Sequence, residues 1–283
     1  MRSSTQRETQ CRTEARRPEV AFSLPISDEI SVVHAPAIGE GKTEHMAKGL
    51  FLSHRGQVLA GESSGFGLPV LRTRCRAYFP SLVSARPIDR TRFEMVFQLD
   101  LEERLRILGI KIPKVFGWFV TVLLHVYMSM PRCQRYLLKF GEVVRSLFRV
   151  RTSLVPGVNQ GRCRVIYKTG EGVLSITVDA SPLRARTQLI LLNEVAGLPF
   201  DRVRIGERVW EGAQIPGWKI VPFGAALESR SVGCGFGLCA PDDGVCAWRL
   251  ACGREVARNL NWAGFALTTN RSQVSYRVIF YAK

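Results

Sequence analysis

The chain has 283 residues, 46% of them hydrophobic, with a formal net charge of +16. This length and apolar content allow a full core and exclude wholesale disorder. The charge invites a nucleic-acid reading, but 32 of the 40 cations are Arg and they are scattered, as on a solvated face, so nucleic-acid binding is set aside.

Residues 1–18 carry Arg2, Arg7, Arg12, Arg16 and Arg17 with Glu8 and Glu14 and almost nothing apolar. They lack the apolar stretch of a secretory signal. Residues 1–22 therefore read as a disordered basic tail ahead of a single domain over 23–283. A cytoplasmic compartment is expected, and the eight Cys read as thiols.

Residues 29–34 read as the first strand. Segments 46–52 and 57–61 flank a hairpin loop at Ser53-His54-Arg55-Gly56. Gly65-Phe66-Gly67-Leu68-Pro69 reads as a turn before a strand at 70–79. The clearest strand is 92–107. Phe93, Met95, Phe97, Leu99, Leu101, Leu105 and Ile107 share one face, opposite Glu94, Gln98, Asp100, Glu102, Arg104 and Arg106, with Glu103 marking a bulge.

The period then changes. No charge occurs from Val115 to Met130, and Cys133, Tyr136, Leu137, Phe140, Val144, Leu147 and Phe148 recur at helical spacing. The sequence thus predicts a helical hairpin over 113–149. Its uncharged half is about 24 Å long as a helix, short of the roughly 30 Å of a bilayer core. Trp118, Arg135, Lys139 and Arg145 are its candidate contacts with an anionic membrane surface, which would put the protein at the inner face of a membrane.

Beyond the insertion, strands are expected near 162–168, 172–179, 187–193, 202–210, 217–222, 229–239, 245–252, 262–268 and 274–282, separated by Gly- and Pro-bearing turns. About fourteen short strands in all predict a large antiparallel β-sandwich of two sheets, interrupted by the helical hairpin.

Motifs for known chemistry are weak. Gly39-Glu40-Gly41-Lys42-Thr43 ends like a phosphate-binding loop, but position 36 is Pro and no helix follows. His34, His45 and His54 lack metal-ligand spacing, and no metal or cofactor is expected. A turn at 241–244 sets Cys239 opposite Cys246, as packed thiols or a disulfide. Leu189-Ile190-Leu191-Leu192-Asn193-Glu194 and Val58-Leu59-Ala60-Gly61-Glu62 are apolar runs ending in carboxylates, so Glu194 and Glu62 are candidates for acid–base chemistry at a pocket mouth. Trp210 and Trp218 are candidates to stack on a ligand.

The leading expectation is a β-sandwich that binds a small carbohydrate-like or lipophilic molecule. The alternatives are a membrane-peripheral protein using 115–149, and a hydrolase or lyase acting on sugars or lipids through Glu62 and Glu194. The sequence leaves the oligomeric state open.

Overall fold

The computed structural model describes residues 19–36, 46–73, 76–107, 110–111, 151–181, 188–212, 215, 218–239, 248–257 and 260–282. Four strands form a small sheet: β1 Phe22–Pro25, β2 Ile30–His34, β3 Phe51–His54 and β4 Gln57–Val58. The rest form a large one. They are β5 Phe66–Arg72, β6 Ala77–Pro87, β7 Arg92–Ile107, β8 Ile110–Lys111, β9 Arg151–Pro156, β10 Arg162–Gly170, β11 Val173–Asp179 and β12 Gln188–Val195. Then come β13 Arg202–Ile205, β14 Arg208–Glu211, β15 Lys219–Val221, β16 Ala226–Ser229, β17 Cys234–Leu238, β18 Trp248–Ala257, β19 Leu260–Thr269 and β20 Gln273–Ala282. The large sheet runs β14-β13-β16-β17-β20-β11-β10-β7-β6-β5-β12-β19-β18-β15, with β8 and β9 added on β7.

Alternation explains the elements. In β10, Cys163, Val165, Tyr167 and Thr169 are buried between exposed or half-buried neighbours, and β20 repeats the pattern with Val274, Tyr276, Val278 and Phe280. Two hairpins use the turn that needs positive φ at both central residues: Arg55-Gly56 between β3 and β4, and Glu171-Gly172 between β10 and β11.

The long sheet folds back into two facing layers. Phe236 on β17 packs edge-on against Phe66 on β5 (ring centroids 5.1 Å apart) and Phe265 on β19 (5.6 Å), although these strands lie far apart in the hydrogen-bonded order. Two hydrogen bonds cross the same interior. Tyr276 donates to Asn193 Oδ1 at 2.9 Å, and Tyr167 donates to the Phe66 carbonyl at 2.9 Å. Gly67 makes room for the second: it has φ +73°, and a Cβ there would fall 2.9 Å from the Tyr167 ring. The small sheet adds Leu24, Val32 and Leu52 to this core, and Phe22 stacks on Phe93 at 4.8 Å.

The expected helical hairpin is corrected: the described residues contain no helix, and β8 and β9 pair on β7 on either side of the insertion. Residues 112–150, with Trp118, Arg135, Lys139 and Arg145, lie outside the described residues. Helical spacing in that segment was a local signal, with no tertiary partner in the sequence to confirm it. No described helix is long and apolar enough to cross a membrane.

Residues 66–69 also differ from expectation, because they belong to β5 rather than to a turn. Pro69 is tolerated there: it lies opposite Leu191 on β12, while β6 pairs with β5 only at Leu71 and Arg72, so no ladder bond is lost on that side. The 70–79 strand is two strands, β5 and β6, joined by a turn in which Thr73 N donates to the Arg76 carbonyl.

The polar face of β7 is not simply solvated. Glu94 is 2% exposed because Arg86 and Arg164 lie over it, with Arg86 Nε 2.6 Å from Glu94 Oε2. Their aliphatic stems cover the carboxylate while their heads stay wet. Glu228 is held in the same way by Arg204 at 2.7 Å and Arg202 at 3.8 Å. Burial works to raise the Glu94 pKa, but the hydrogen bonds and charges of Arg86 and Arg164 outweigh it and hold the carboxyl below its ordinary value. A carboxylate with a depressed folded pKa stabilises the fold above its unfolded value and loses that contribution as pH falls through the folded value. Glu94→Gln is therefore expected to cost about 1–2 kcal/mol at neutral pH. Urea unfolding should show that deficit shrinking as the pH is lowered below 4.5.

Candidate ligand-binding site

The sequence brings β12 to the centre of the site. It pairs with β5 on one side and β19 on the other, and its side chains alternate. Leu189, Leu191, Asn193 and Val195 point to the core, while Ile190, Leu192 and Glu194 point outward. Glu194 is nevertheless only 8% exposed, because the segment before β5 lies over it. Ser64 donates to Glu194 Oε2 twice, from its backbone N at 2.9 Å and from its hydroxyl at 2.7 Å.

Lys48 completes this cluster. Its ammonium donates to the Ser63 carbonyl at 3.2 Å, and it acts electrostatically on both Glu194 and Glu62. Burial pushes the Lys48 pKa down, partly opposed by the two carboxylates. Burial pushes the Glu194 pKa up, opposed by the Ser64 hydrogen bonds and by Lys48. The two shifts bring an acid and a base closer in proton affinity, the reverse of the Arg-clamped Glu94. Glu62 differs from Glu194 in being exposed, and its backbone N donates to the Asn261 carbonyl at 3.0 Å. The two carboxylates thus share one lysine but sit in different surroundings.

Beside the cluster is an aromatic platform. Glu194 pairs with Gly264 on β19, which pairs with Gly253 on β18, so the three positions form one row on the outer face. Trp262, two residues from Gly264, lies on the same face. Trp218, just before β15, stacks on Trp262 with centroids 4.8 Å apart and rings 22° from parallel. Both rings lie over Gly253, where a Cβ would fall 3.0 Å from Trp218 and 3.1 Å from Trp262, so only glycine lets the indoles lie flat on the sheet. Trp218 remains 45% exposed, and Ile220, next on that face, is 71% exposed.

Trp210 is not part of this platform. It lies opposite Val203, packs against the core, and takes the Lys219 ammonium 4.3 Å from its ring centroid. That cation–π contact joins β14 and β15, the two ends of the long sheet. The sequence reading settled on Trp210 and Trp218 rather than on Trp262, and it missed Ser64 and Lys48. The available signal for Lys48 was its place among apolar neighbours, Met46-Ala47 and Leu50-Phe51-Leu52, in a chain with eight lysines.

Other candidates separate. His34 packs against Phe93, His54 lies 3.5 Å from Glu29, and His45 lies outside the described residues. Among the described residues no three His, Cys, Asp or Glu side chains converge as metal ligands. Cys163, Cys234 and Cys252 are buried thiols, with burial pushing their pKa values to about 12, 11 and 12. Cys239 is a half-buried thiol, and Cys246 lies outside the described residues.

No protein-family model and no curated protein matches the chain. Solved structures that match include an Escherichia coli K12 protein provisionally described as an aldose 1-epimerase. It is 6% identical with a TM-score of 0.42, over 93% of this chain and 99% of that one. A likeness of that grade transfers no chemistry, so the site stands on its own geometry.

The Glu194 environment has a measurable consequence. Its folded pKa lies above the ordinary carboxylate value of 4.5, so between 4.5 and the folded value the native chain binds more protons than the unfolded one. Stability must fall as pH rises through that window. Urea unfolding of wild type against Glu194→Gln is expected to show wild type losing ground to the variant as pH rises above 4.5.

Proposed function

We propose that the chain binds a carbohydrate-like ligand on the outer face of β12, β19 and β18, next to β15. The Trp218–Trp262 pair is the stacking surface, and Glu62, Lys48 and Glu194 form the polar edge. The observation that carries this reading is the exposure of a large indole held flat on a second one. Trp is highly buried on average, so a ring left 45% open forgoes hydrophobic stabilisation that burial would supply. A pyranose presents an apolar C–H face to such a surface and hydroxyls around its rim, which is the pairing that an aromatic floor with nearby carboxylates and an ammonium suits.

A second reading, acid–base catalysis on such a ligand, is favoured by the opposed shifts of Glu194 and Lys48. Neutral acid and neutral amine forms both become accessible nearer neutral pH, as proton transfer requires. Glu62 then lies at the solvent edge of the same cluster, exposed where Glu194 is buried. A hydrolase would release reducing ends from an oligosaccharide, whereas a binding protein would leave it intact.

Titration with a panel of neutral and charged oligosaccharides, followed by Trp emission, tests the binding reading. Trp218→Ala is expected to weaken binding by about tenfold or more, a loss of about 1.4 kcal/mol or more, with its urea midpoint unchanged. A panel that leaves the emission unmoved, or a variant that binds as tightly as wild type, would overturn the assignment.

A further inference from the structure

Two carboxylates lie beside the platform of a chain whose net charge is strongly positive. Glu255 lies directly opposite Trp262 in the β18–β19 register, so the two side chains share the outer face. Glu62 is tied through its backbone to Asn261, the residue before Trp262. Among the described residues neither Glu62 nor Glu255 makes an ion pair, whereas Glu29, Asp89, Glu94, Glu102, Glu211 and Glu228 each take an Arg. With 40 cations to 24 acids, Arg partners are in excess. Two carboxylates, Glu62 and Glu255, thus lie beside the Trp218–Trp262 pair without an Arg ion pair, as do several other acids of the described surface.

The nearby cations are already engaged. Lys48 is largely buried, hydrogen-bonded to Ser63 and offset by Glu194. Lys219 belongs to the opposite face of its strand, over Trp210. Arg254 Nε donates to the Gly197 and Phe200 carbonyls at 2.9 and 3.1 Å. Among the described residues a ligand on the Trp pair thus meets Glu255, which has no ion pair, and Glu62, whose nearby Lys48 is already hydrogen-bonded to Ser63, above an indole face that itself attracts positive charge.

We infer that this surface selects a cationic amino sugar, a pyranose carrying a free ammonium, from among the carbohydrates. The inference rests on the reading of Trp218 and Trp262 as a sugar platform. The ring stacks on the indoles while its ammonium reaches Glu255 or Glu62. The overall charge of +16 repels cations from the rest of the surface, so recognition has to come from this local site.

The test uses glucosamine, N-acetylglucosamine and glucose oligomers of equal length and the same cellulose-type linkage, which differ only in the substituent beside the anomeric carbon. Calorimetric titration of the full chain is expected to show the glucosamine oligomer binding about tenfold tighter than the other two. Glu255→Gln and Glu62→Gln are each expected to narrow that preference by about threefold or more, and Trp218→Ala to weaken all binding. Equal affinity for all three oligomers overturns the inference and leaves the sugar platform standing. No binding of any overturns both. A lysine oligomer of equal charge binding as tightly, or a preference untouched by both Gln variants, overturns the amino-sugar assignment.

Discussion

Two adjacent side chains on one strand, Asn193 and Glu194, hold the two faces of the central layer in place. Asn193 points inward. Its Oδ1 accepts from Tyr276 on β20 and from the Gly67 backbone N on β5, and its Nδ2 donates to the Leu191 carbonyl. It thereby links the facing layers through a fully buried polar group, which is tolerable only because its hydrogen bonds are made. Glu194 points outward and anchors Ser64, and with it the chain that leads into β5. Because strand side chains alternate, one register satisfies both. A slip by one residue would place a carboxylate in the core and an amide on the surface. The shift in register between Leu192 and Asn193 opposite Gly67 is where β5 adjusts to that demand.

From this follows the division between structural and candidate functional acids. Glu94 and Glu228 lie on the surface of the large sheet beneath Arg side chains that cover them, and those over Glu94 hold its carboxyl below its ordinary value. A guanidinium presents several donors in a planar fork and holds its charge, so it suits a permanent clamp. Glu194 has a lysine and a serine instead. A buried ammonium gives up its proton far more readily than a guanidinium, and the serine hydroxyl serves either form of the carboxyl. The Arg-rich composition is thus a structural resource as well as a source of net charge, and the Lys48 cluster is an exception to it.

The sheet's own geometry builds the platform. β15 is the last strand of the long sheet and lies beside β18, which brings Trp218 over Gly253 and onto Trp262. Lys219, the next residue, points the other way and closes the seam to β14 through Trp210. Trp218, just before the three-residue β15, and Lys219, its first residue, therefore do different work, one offering an aromatic surface to solvent and the other holding the ends of the sheet together.

The amino-acid sequence by itself determined the β class, the strand of residues 92–107 with Phe93 to Leu101 on its buried face, the 53–56 hairpin, and a strand over the apolar run that ends at Asn193-Glu194. These follow from alternation and from turn residues, which act over a few positions. The tertiary structure alone decided that Glu94 is covered, that Trp218 meets Trp262 while Trp210 meets Lys219, and that Lys48 comes within electrostatic reach of both Glu62 and Glu194. Among the described residues, which leave out 112–150, it contains strands and no helix, against the expected helical hairpin. Each of these depends on which strand pairs with which across more than a hundred residues in some cases, as with Ser64 and Glu194, 130 positions apart. Periodicity reports which side of a strand a residue occupies. It carries no information about what the rest of the chain places against that side.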